Sequence, residues 1–94
     1  MSPAFNSNEK TLLITGTFTE ISFEIAKQIR DLIYSYGQII IQILGYSNEN
    51  EYKHRKNMLI RQLDIFGITY NSKYKVESAT GNLPTQLYDD VIKL

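Results

Sequence analysis

The run IIIQIL at Ile39–Leu44 constrains this chain more than any other feature. Only Gln42 interrupts its aliphatic side chains. A strand with one wet face alternates apolar and polar residues, whereas a strand buried on both faces does not. Gln38–Tyr46, which contains the run, therefore reads as a central strand covered on both sides. It is far shorter than the ~20 apolar residues that cross a bilayer, and no other segment approaches that length. A strand of this kind needs neighbours on its edges and a layer to cover it.

The flanking sequence supplies them. Thr11–Thr19 is rich in β-branched residues and reads as a strand, with Gly16 marking a bulge or a close backbone approach. From Phe23 the period changes to that of a helix, which Thr19 or Ser22 can cap and which Gly37 is placed to stop. A second helix is predicted from about Glu51 to Phe66, with Leu59, Leu63 and Phe66 as its stripe and Gly67 as its stop. Tyr74–Ala79 reads as a short strand and Gly81–Pro84 as a loop. Leu87–Leu94 suits either a helical turn or a strand, and the strand is preferred. The predicted fold class is α/β, an α+β two-layer sandwich in the order β-α-β-α-β-β. Its sheet is expected to be a mixed four-stranded one. Right-handed crossovers place both helices on one face. Residues 1–10 are expected to be a flexible lead-in to a single domain over residues 11–94.

Ten basic and ten acidic residues cancel, so the chain lacks the positive field of a dedicated nucleic-acid binder. Without cysteine there are no disulfides, thiolate metal sites or cysteine nucleophiles. His54 is the single histidine, set among lysines, and reads as an exposed residue rather than a metal ligand or general base. Asp89 and Asp90 are adjacent carboxylates, and on a strand they point to opposite faces. No catalytic residue, metal or cofactor is expected. The sharpest local feature is Lys53-His54-Arg55-Lys56. It is placed near a helix start, where it reads either as a solvated first turn or as an anion patch for a carboxylate or phosphate. The chain holds seven tyrosines, which suit either the edges of a small core or a partner surface.

Four segments in order carry a family resemblance. IQILGYSN (Ile41–Asn48) resembles the central strand and loop of OmpA-like domains, the OmpA/MotB C-terminal type. HRKNMLIRQLDIFGI (His54–Ile68) is similar to that family's second helix, keeping its L-x-x-x-G-I ending. YKVESATGNLP (Tyr74–Pro84) resembles its third strand and loop, and YDDVIKL sits where the family has its last strand. The resemblance covers residues 23–94. It implies a non-catalytic, periplasmic, cell-envelope domain within a longer envelope protein or complex. Its implied partners are outer-membrane or secretion-system proteins and peptidoglycan. It also implies that Asn48 and Arg55 stand where the family holds the diaminopimelate of the peptide stem. Asn48 replaces the family's aspartate, and a neutral amide holds an ammonium less well. The expected function is therefore structural and protein-interacting, with peptidoglycan binding weakened or lost. The alternative is stem-peptide binding through Arg55.

Thr11–Ile29 also resembles the opening of a short-chain dehydrogenase, with its strand, Thr15-Gly16 turn and helix. That resemblance implies a nucleotide-binding fragment. Glu20 and Ser22 stand where glycines would let the backbone approach a pyrophosphate.

Overall fold

The structure is a computed structural model that describes residues 10–70, 74–78 and 88–94. The expected lead-in, apart from Lys10, and the Gly81–Pro84 loop lie outside the described residues. The elements follow the predicted order: β1 (Thr11–Gly16), α1 (Phe23–Ser35), β2 (Gln38–Ile43), α2 (Glu49–Ile65), β3 (Tyr74–Ser78) and β4 (Asp90–Lys93). The ambiguous last segment is a strand. No helix among the described residues is long and apolar enough to cross a membrane.

The sheet is not mixed, as the sequence reading had it. Its order is β3-β2-β1-β4 and every pairing is parallel. β3 and β4 are consecutive in the chain but occupy opposite edges. The reason lies in β1, which is buried from Leu12 to Gly16. A strand this apolar belongs inside the sheet and needs a neighbour on each side. β2 supplies one, with Leu12 opposite Ile39 and Ile14 opposite Ile41. β4 supplies the other, with Leu12 opposite Asp90 and Ile14 opposite Ile92.

Both helices cover one face. Ala26, Ile29 and Ile33 of α1 and Leu59 and Leu63 of α2 share a core with Leu12, Ile14, Ile39, Ile41, Ile43, Tyr74 and Val76. Truncating a fully buried Leu or Ile of this set to Ala costs about 2–5 kcal/mol, because the cavity closes only in part. The IIIQIL run owes its missing alternation to the opposite face, where Ile40 and Leu13 are also buried.

The helix ends show where local chemistry sets the boundaries. Ser22 caps α1 by accepting the Ile25 N–H at 3.1 Å. Gly67, at φ 81°, closes α2 in the left-handed conformation that glycine adopts most easily. Gly37 does not play that part at the end of α1. Tyr36 is already extended there, and the Gly37 N–H donates to the Lys10 carbonyl at 3.0 Å. Gly16 marks a close approach: a Cβ on it would lie 2.9 Å from the Leu94 carbonyl oxygen.

Candidate functional site

The sequence places its candidate ligands around the C-terminal ends of β1 and β2, and the fold brings them together there in an unexpected role. Asn48 is the N-cap of α2. Its side-chain oxygen accepts the Glu51 N–H at 2.8 Å, and Glu51 reaches back to the Ser47 N–H at 2.7 Å. This reciprocal exchange, a capping box displaced by one residue, starts the helix at Glu49 rather than at Glu51. Glu49 and Glu51 also put negative charge on the first turn, which suits the helix dipole.

Arg55 lies one turn further along and points inward. Its residue is 9 % exposed. One terminal nitrogen donates to the Thr17 carbonyl at 3.1 Å and the Leu44 carbonyl at 3.0 Å. The other donates to the Gly45 carbonyl at 3.2 Å and to the Glu51 carboxylate. The planar fork of a guanidinium suits this task, since a single head group can hold several acceptors in fixed directions. The result is a clasp that ties α2 to the loops leaving β1 and β2. The Ser47 backbone N–H, followed by Arg55, holds the Glu51 carboxyl below the usual glutamate range.

The clasp divides the basic run. Lys53 and His54 face solvent, Arg55 is buried, and the Lys56 ammonium lies 5.4 Å from the centre of the Tyr70 ring. The four side chains do not converge on a single point, and α2 begins a full turn before them. The paired aspartates are likewise engaged within the fold. Asp89 accepts the Thr11 N–H at 2.7 Å, and Asp90 accepts the Tyr36 hydroxyl at 2.6 Å, which raises the Tyr36 pKa. No three acidic or histidine side chains among the described residues converge on a metal position.

Three tyrosines cluster beside the clasp with Tyr74. Tyr46 packs on Tyr52 at 5.2 Å and Tyr70 on Tyr74 at 5.5 Å. Tyr74 is 1 % exposed, and its hydroxyl has no hydrogen-bond partner among the described residues. Burial pushes its pKa up. A buried unpartnered hydroxyl costs about 1–3 kcal/mol.

The feature that sequence reasoning missed is a cleft of ≈ 330 Å³ between the β1–α1 loop and α2. Phe18, Thr19, Glu20, Ile21 and Ser22 line one side, with Met58 and Gln62 on the other. Phe18 turns the loop at φ 52°, a conformation that non-glycine side chains seldom adopt. Burial of its ring and the hold of Arg55 on the preceding carbonyl keep it there. The Thr15-Gly16 turn was the signal available in the sequence, but the wall supplied by α2 was not. The parallel order 3-2-1-4 is that of the first four strands across a doubly wound sheet, in which ligands bind at the C-terminal strand ends. Comparison with known protein families, curated proteins and solved structures finds no match to this chain.

Proposed function

We propose that this chain is a non-catalytic interaction module, a structural part of a larger assembly, which does not hold the peptidoglycan stem peptide. The occupied guanidinium of Arg55 carries this reading. A carboxylate ligand would have to displace three backbone carbonyls and Glu51 from it, leaving them unpaired in a partly buried site. Asn48 is similarly engaged in capping α2. Large apolar side chains, by contrast, stand in solvent: Phe23, Tyr34 and Ile65 are each about 70 % exposed. Exposed apolar area of this kind suits contact with another macromolecule. In the proposal that assembly is an envelope or secretion machine, and the chain is periplasmic. The resemblance over residues 23–94 is the support for that placement.

Titration of a stem-peptide muropeptide into isotope-labelled protein tests the reading. The amides of Asn48 and Arg55 are expected to stay in place. Saturable shifts centred on them would restore the stem-peptide alternative.

The sheet order favours a second reading, a nucleotide-binding fragment with its ligand in the cleft at the end of β1. Glu20 in that cleft opposes a pyrophosphate. Energy transfer to added NADH would support this reading, and its absence removes it.

A further inference from the structure

β4 pairs with β1 along one side, and its outer edge has no partner among the described residues. The Asp89 N–H donates inward to the Thr11 carbonyl. The Leu94 N–H likewise donates inward to the Thr15 carbonyl, so alternation along the strand turns the backbone groups of Asp90 and Ile92 toward β1 and those of Val91 and Lys93 outward. Edge strands are commonly blunted by proline, bulges or charge along the rim. Here Val91 is 43 % and Leu94 46 % exposed. On the helix side, Gln28, Asp31, Leu32, Ile92 and Leu94 line an apolar groove of ≈ 400 Å³ along the same edge.

We propose that β4 pairs antiparallel with β4 of a second copy, about a two-fold axis through Val91, making one eight-stranded sheet. The pairing follows from charge and strand parity. In an antiparallel pair, opposite residues share a face. Ile92 faces the helices and packs against the core, so Asp89, Val91 and Lys93 face the other way. Centring on Val91 lets its outward N–H and carbonyl exchange backbone hydrogen bonds with those of Val91 of the second copy. It also sets Asp89 opposite Lys93 of the second copy, twice by symmetry. Centring on Ile92 instead would set Lys93 opposite Val91 and leave Asp89 without a basic partner. The order acid–acid–Val–Ile–Lys is thus complementary to itself when reversed, which selects a second copy over a foreign strand. Asp89 holds Thr11 through one carboxylate oxygen, and the other remains for Lys93. Lys93 is in no ion pair among the described residues.

This pairing deepens the interaction-module reading by naming a partner. Sedimentation of the chain over a dilution series tests it, alongside amide hydrogen exchange. Dimers that form with rising concentration are expected, with the Val91 and Lys93 amides gaining protection as they form. Lys93→Glu turns both cross-strand pairs repulsive and should weaken the dimer about tenfold. Val91→Lys sets two ammonium groups together on the axis and should weaken it as well. The melting temperature of each variant, measured at a concentration where it is monomeric, reports that the fold is kept. A chain that stays monomeric throughout overturns the pairing, as does a dimer indifferent to both substitutions or protected elsewhere. Such outcomes leave the interaction-module reading to the muropeptide and NADH titrations.

Discussion

The C-terminal ends of β1 and β2 and the outer edge of β4 are treated in opposite ways. At the first, one guanidinium gathers carbonyls from two loops and a carboxylate from its own helix. At the second, two backbone rungs and the side chains of Val91 and Leu94 are left facing outward. The contrast separates two meanings of a polar residue in a small domain. Arg55 is a charge whose donors are already matched, so it holds the fold together. Lys93 is a charge with no ion-pair partner among the described residues, so it remains available outside them.

Substitutions can break this contrast, and the largest effect belongs to the clasp. Arg55→Met keeps the aliphatic stem but strands three carbonyls. It should cost about 3 kcal/mol in urea unfolding. A loss no larger than that of an ordinary surface change, about 0.5 kcal/mol, would mean that the clasp is not structural. Gly16→Ala comes next, because its Cβ would press on the Leu94 carbonyl. About 2 kcal/mol is expected, with the loss of exchange protection concentrated in β4. Tyr74→Phe removes a buried hydroxyl that has no partner among the described residues and should raise the melting midpoint, by about 1 kcal/mol in stability. An unchanged or lowered midpoint would show that the hydroxyl is satisfied. Val91→Lys should alter monomer stability by less than about 0.5 kcal/mol, since the side chain already meets solvent.

The pH dependence gives the subtlest signal. Glu51 has a lowered pKa in the folded state, through the Ser47 N–H and Arg55. Its contribution is therefore present above the ordinary glutamate pKa of about 4.3 and fades as the pH falls through the lower folded value. Glu51→Gln should flatten that acid limb of the stability curve. Tyr74 acts at the other extreme. Its raised pKa stabilises the fold below the ordinary tyrosine value of about 10, and this is lost as the pH rises beyond it.

The elements were legible because each is a local matter. The change of period at Phe23, the aliphatic run at Ile39 and the glycine at position 67 all act within a few residues. Sheet order was not legible, because it depends on which apolar strand is forced to the middle. That follows from the burial of β1 against segments at both ends of the chain. The site was legible by position but not by role. Asn48 and Arg55 could be singled out, but a sequence shows that an arginine lies on a helix and not which carbonyls wait beneath it. The cleft escaped for a similar reason, since Met58 and Gln62 are distant in the chain from the loop they face.

The parallel placement of β4 against β1 bears on how the chain is made. Thr11 and Asp89, bonded to each other, are 78 positions apart in the chain. During synthesis β1 can meet β2 soon after both have left the ribosome, with α1 closing the short loop between them. Its other edge stays bare until residues 90–93 have followed. For that interval the most apolar interior of the nascent protein has an open seam, the kind of surface through which growing chains aggregate. The last strand is therefore a late closure as well as a rung of the sheet. A Gly16 side chain that hindered its docking would prolong exposure during translation by more than its cost to the finished fold suggests.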